Sequence, residues 1–255
     1  NDWWKILSEM SSIFIWFIHI LGFVYEAVMI IIGILTLVAG KKIGDKKTQI
    51  LGMGFLLIGC GDASHTIGHV LADLIPTPEI LFIESTTTAI SVSLATVFFL
   101  TIRLYASLAR TREIGGLDIG LIGLTVFTIL MAFLTWTALY GVKRGDPGYT
   151  YLIATRSLAV IGMTLTGYIG AFSFIRMARA RLREANPILV KRYRYAFRGM
   201  LLMVVAITLV FFHPFLIHYP GAMFIVTVLK SSALLSAALL TYLGIVGPSW
   251  FVRRL

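Results

Sequence analysis

A single all-α domain of seven transmembrane helices, with the N-terminus outside and the C-terminus in the cytoplasm, is predicted by three features of the sequence. Only 13% of the 255 residues are charged, about half of what a water-soluble domain needs to cover its surface. Seven apolar stretches each reach the ~20 residues that a hydrocarbon core ~30 Å thick requires. The Lys and Arg residues between them are strongly one-sided.

The stretches cover about 11–38, 49–72, 80–104, 117–140, 150–176, 196–218 and 221–246, each rich in Leu, Ile, Val, Phe and Met. Helices are required because unpaired backbone groups are too costly in lipid. Residues 1–10 read as an interfacial turn of helix. The breaks carry turn chemistry: Gly40–Thr48, Pro76-Thr77-Pro78, Gly115-Gly116, Gly145-Asp146-Pro147-Gly148, Asn186-Pro187 and Tyr219-Pro220-Gly221. The run 176–198 is expected to extend helices five and six beyond the membrane, bent at Asn186-Pro187. The short last break makes helices six and seven a close antiparallel hairpin. Gly167–Gly170 and Ser232–Ser236 suggest close helix packing. Pro214 should bend helix six.

Orientation follows from the first, third and fifth loop regions and the tail, which hold 17 of the 22 Lys and Arg residues. The positive-inside rule puts that side in the cytoplasm. The net charge of +10 is thereby a topology signal, with no nucleic-acid partner implied, and the basic surface can meet anionic lipid head groups. Trp3, Trp4 and Trp250 fall where interfacial aromatic belts are expected. Cys60, the one cysteine, reads as a buried small hydrophobe. The chain begins at Asn1, so removal of a preceding segment is expected. The implied location is the cell membrane, as a multi-pass protein.

Ionisable residues inside a span are costly and are functional candidates by default. Counted at ~1.5 Å per residue from the outer ends, all five histidines (His19, His65, His69, His213, His218) fall in the outer half. Asp62 lies roughly 16 Å deep and Lys230 roughly 14 Å deep. Glu84 begins helix three, Arg156 lies early in helix five, and Glu26 sits near the midplane and is expected to pair with another span. An outward-opening polar cavity follows. In Gly61-Asp62-Ala63-Ser64-His65-Thr66-Ile67-Gly68-His69, the residues Asp62, His65 and His69 share a stripe about 60° wide, which Asp73 continues. That stripe supports either hydrogen bonding to neighbouring helices or a metal site on His65 and His69, with His213 or Glu84 as the third ligand. Lys230 cannot snorkel from such a depth and needs a carboxylate, for which Asp62 is the natural candidate. Arg156 suits a carboxylate or phosphate ligand, or an ion pair with Glu84. Phe98, Phe99, Phe211, Phe212, Phe215 and Trp136 are expected to pack against core or lipid.

No GxSxG, HExxH, Walker or Rossmann signature is present. The Gly61-Asp62-x-x-His65 run, Arg156 and Lys230 resemble a group of uncharacterised prokaryotic seven-helix membrane proteins, which implies the fold. The alkaline ceramidase and adiponectin receptor superfamily differs: it carries a His-x-x-x-His pair in its last helix, whereas His213 and His218 are five apart in helix six. Microbial rhodopsins share a Lys in helix seven, but Val226 stands where their Asp is expected. The ending Gly247-Pro248-Ser249-Trp250-Phe251-Val252-Arg253-Arg254 resembles the junction between seven-helix sensor modules and cytoplasmic signalling domains.

Three functional expectations follow. The first is a receptor- or sensor-like bundle in which Asp62, His65, Glu84, Arg156 and Lys230 hold a small anionic ligand entering from outside. The second is a zinc-dependent hydrolase of a lipid or amphiphile. The third is a retinal pigment on Lys230. No matching polar route in the inner half supports alternating access.

Overall fold

The structure, a computed structural model, describes residues 2–110, 115–143, 145–183, 186–212 and 220–252; for 2–15, 220, 221, 223, 224 and 250 it describes the backbone alone. His213, Pro214, Phe215, His218 and the side chains of Trp3, Trp4 and Trp250 lie outside the described set. Within it the chain is helical, without strands among the described residues. The helices are α1 (Asp2–Lys42), α2 (Lys46–Leu74), α3 (Pro78–Arg110), α4 (Gly116–Phe133), α5 (Tyr149–Arg181), α6 (Pro187–Phe212), α7 (Pro220–Ile245) and a short α8 (Ser249–Val252). A π-helical turn, Leu134–Ala138, continues α4. Seven of these segments are long and apolar enough to cross a membrane.

The boundaries follow local chemistry. Asn186 Oδ1 accepts the N–H groups of Ile188 (3.0 Å) and Leu189 (3.3 Å), capping α6 just ahead of Pro187. The expected extensions of helices five and six are present, since α5 runs to Arg181 and α6 starts at Pro187. Residues 2–10 are not a separate turn; they continue α1 without a break.

Packing closes a ring in the order α1, α2, α3, α5, α6, α7, with α4 seated against α3 and α5. Residues late in odd-numbered helices meet residues early in even-numbered ones, as Arg192 of α6 meets the carbonyls of Gly244 and Ile245 at the end of α7. Successive helices are therefore antiparallel. The 43–45 turn and the ends of α3, α5 and α7 share one end, here called the basic end.

Glycines set the closest approaches. Gly54, Gly61 and Gly68, seven apart on α2, face Thr101, Leu94 and Thr87, seven apart in reverse order on α3. A Cβ on Gly61 would lie 3.0 Å from that of Leu94. A second face of α2 meets α1, where a Cβ on Gly52 would sit 2.6 Å from the backbone nitrogen of Leu37. With Gly59 turned to α1 and Gly61 to α3, the residue between them points outward. Cys60 is exposed, contrary to the buried position expected.

The α6–α7 contact uses Gly199 against Ala237 and Thr241, and Gly244 against Ala196. Ser232, expected in a packing seam, is exposed, because the inward face of α7 runs through Ala233, Ala237 and Thr241 instead. Gly170 does approach a neighbour closely, with the Phe99 carbonyl 2.6 Å from where its Cβ would be. The apolar core, including Phe55, Phe98, Ile102, Phe174, Met200 and Met203, fills the ring between these contacts.

Candidate functional site

A cavity of about 240 Å³ opens within the ring, in the half away from the basic end. Its walls come from α2 (Ile58, Asp62, His65), α3 (Ser91, Val92, Ala95, Phe99), α5 (Val160, Met163, Thr164), α6 (Ile207, Val210), α7 (Lys230, Leu234) and Trp136 of the π-turn. Most of this lining is apolar. Three ionisable groups predicted from the sequence, Asp62, His65 and Lys230, meet on it.

Each is positioned differently. Asp62 Oδ1 accepts a hydrogen bond from Ser91 Oγ at 2.8 Å. His65 Nδ1 lies 3.1 Å from Thr88 Oγ1. Both α2 side chains thus anchor to hydroxyls on α3, at the seam that Gly61 and Gly68 hold close, rather than to each other. Lys230 and Asp62 share the cavity wall but form no ion pair within 4.0 Å, so the direct counter-ion contact expected between them is not made.

Behind His65 runs a hydrogen-bonded chain. His65 Nε2 meets His69 Nε2 at 3.1 Å, and His69 Nδ1 meets Glu84 Oε1 at 2.7 Å. Thr88 Oγ1 donates its single proton to the Glu84 carbonyl at 2.9 Å. These contacts join Thr88, His65, His69 and Glu84 into one chain across α2 and α3. Glu84, expected among the ligand-binding groups, is outside the cavity lining and sits at the far end of this chain.

Arg156 is also outside the lining. It is exposed, and its guanidinium lies over the Trp136 ring, 5.5 Å from the centroid. The ion pair expected between Arg156 and Glu84 is absent among the described residues, where the carboxylate of Glu84 is taken by His69. His19 joins Asp73 at 2.9 Å and ties α1 to α2, away from the cavity. Glu26, 3% exposed, bonds Thr66 of α2 through one oxygen; its Oε2 has no partner among the described residues.

The metal expected on His65, His69 and His213 finds no group of three or more His, Cys, Asp or Glu side chains among the described residues. His65 and His69 turn Nε2 toward each other, their Nδ1 atoms being held by Thr88 and Glu84. His213 is outside the described set.

Sequence reasoning missed Thr88, Ser91 and the role of two aromatics. Thr88 and Ser91 are three apart, a spacing that puts both on the α3 face toward Asp62 and His65. Phe99 packs in the apolar core as expected and also lines the cavity, together with Trp136. Trp136 reaches it because the i→i+5 turn at Leu134–Ala138 re-aims the end of α4; such turns recur at functional sites. Tyr140 pins that end to α3, its hydroxyl donating to the Pro78 carbonyl at 2.9 Å. No family model, curated protein or solved structure matches the chain.

Proposed function

We propose that the protein is a multi-pass membrane receptor or sensor that binds a small organic anion in the Asp62–His65–Lys230 cavity. The observation carrying this reading is Lys230, an ammonium on a mostly apolar wall with no ion-pair partner among the described residues. An unpaired charge in such a place is expensive, and an anionic ligand head would supply the missing counter-charge. Asp62 on the same wall disfavours a second negative charge, so the ligand is a monoanion. Phe99, Met163 and Trp136 offer its apolar body a complementary surface. Glu84 acts at a distance by orienting the imidazoles, and Arg156 by holding Trp136 in place.

In this reading the seven helices lie in the cell membrane. The basic end is cytoplasmic and touches anionic lipid head groups, the N-terminus is outside, and the ligand enters the cavity from the outer side. Exposed apolar residues such as Ile20, Val24 and Ile31 of α1 and Ile119, Val126 and Leu130 of α4 then face acyl chains.

The decisive measurement is thermal unfolding of the purified protein with a panel of small carboxylates bearing apolar groups. At least one should raise the unfolding temperature of the parent, and Lys230→Ala should abolish that rise. Equal shifts in both proteins reject the reading. Stoichiometric zinc by elemental analysis would redirect it to the hydrolase, and a visible absorption band on adding retinal would redirect it to the Lys230 pigment. Orientation is tested in a Cys60→Ala background with an impermeant maleimide. Lys143→Cys should react in right-side-out vesicles and Lys191→Cys only in inverted ones.

A further inference from the structure

A second cavity, about 340 Å³, lies at the basic end between the last turns of α3 and α5 and the first turn of α4. Arg103, Arg110 and Arg176 line it against one carboxylate, Asp118. That carboxylate is fully engaged. Its Oδ1 accepts Arg103 Nε at 2.6 Å and Ser107 Oγ at 3.0 Å, and its Oδ2 accepts the Gly115 N–H at 2.9 Å. Arg103 is held again through Nη1 by Ser173 at 2.7 Å, which leaves its Nη2 edge over.

Arg110 and Arg176 are exposed and make no ion pair with any described residue. Two positive charges therefore stand without an ion pair among the described residues, on a concave wall with a hydrogen-bonded frame. Other arginines at this end are engaged structurally: Arg181 donates to the Ala109 carbonyl at the end of α3, and Arg192 to the carbonyls ending α7. The start of the 18-residue α4 faces the same cavity through Gly115 and Leu117, adding the positive end of its dipole.

We propose that this cavity binds a phosphate group, gripped by Arg110, Arg176 and the remaining edge of Arg103. Guanidinium forks suit the tetrahedral oxygens and give charge-assisted hydrogen bonds. The phosphate can belong to an anionic lipid headgroup, a source that rests on the membrane reading above, or to a free phosphate, which does not.

The test uses the full chain in detergent with three probes: dihexanoyl phosphatidic acid, dihexanoyl phosphatidylcholine and inorganic phosphate. Binding is read by titration calorimetry. The parent should prefer phosphatidic acid to phosphatidylcholine, and Arg110→Gln/Arg176→Gln should weaken that binding by at least about tenfold, as expected on losing charge-assisted bonds. Arg194→Gln/Arg198→Gln, equally basic positions on α6, should bind like the parent. An unchanged unfolding temperature certifies that each variant is folded. Displacement of the lipid by millimolar inorganic phosphate would identify free phosphate as the source, and resistance to displacement the headgroup. Equal losses in the two double variants, no loss in the first, or no binding of either phosphatidic acid or inorganic phosphate by the parent would overturn the proposal.

Discussion

The two ends of the bundle treat charge in opposite ways. At the basic end Asp118 is almost fully buried and satisfied on both oxygens, with Arg103 locked between it and Ser173. In the cavity half Asp62 and His65 are tied back to α3, while Lys230 faces open space with no ion pair among the described residues. The Asp118–Arg103 frame contributes to structure because both carboxylate oxygens and two of the three guanidinium nitrogens have partners. The cavity wall instead keeps Lys230 without an ion pair among the described residues, and at the basic end it is Arg110 and Arg176, outside the closed frame, that are left so.

The largest effect is expected at Asp118. Asp118→Ala leaves the Arg103 guanidinium, only 18% exposed, without its counter-ion. Removing one partner of a buried pair costs about 3–5 kcal/mol. Chemical unfolding should show that loss, and a cost under ~1 kcal/mol would mean that the pair behaves as a surface salt bridge. Next is Gly61→Leu, which forces α3 away from α2 against Leu94. The expected destabilisation is about 1–3 kcal/mol, with ligand response lost as well because Ser91 retreats from Asp62. Ligand response intact in a destabilised Gly61→Leu protein would separate the seam from the site.

A smaller effect sharpens the comparison. Glu84→Gln removes the carboxylate that fixes the two-histidine chain. Stability should fall by about 1 kcal/mol, and the ligand-induced thermal shift should shrink without vanishing. An unchanged shift would detach the histidine chain from the cavity. Smallest is Arg156→Ala, whose exposed contact with Trp136 is worth at most about 1 kcal/mol. A larger loss would show that Arg156 contributes more than support to that ring.

Part of the site was legible in advance. Asp62, His65 and Lys230 stood out because ionisable groups inside apolar spans are rare, and their depths alone put them at a common level. Arg156 and Glu84 were equally conspicuous, yet neither lines the cavity: depth says nothing about which way a helix is rotated. Thr88 and Ser91 escaped notice because hydroxyls are ordinary in helices and gain significance only when a carboxylate or imidazole faces them. The Gly54, Gly61, Gly68 seam emerged only from the structure, whereas Gly167–Gly170 was read from the sequence without its partner helix.

By itself the sequence determined the seven apolar helices, the breaks that fall among the described residues and the residues whose charge demanded an explanation. Those properties sum over twenty or so neighbouring residues, so local hydropathy and turn chemistry suffice. Tertiary structure decided which helix faces meet, that α4 stays outside the ring, that Trp136 is swung inward by a π-turn, and that Lys230 is left without an ion-pair partner among the described residues. These depend on contacts between residues far apart in the chain, which become specific only once backbones approach within a few ångströms.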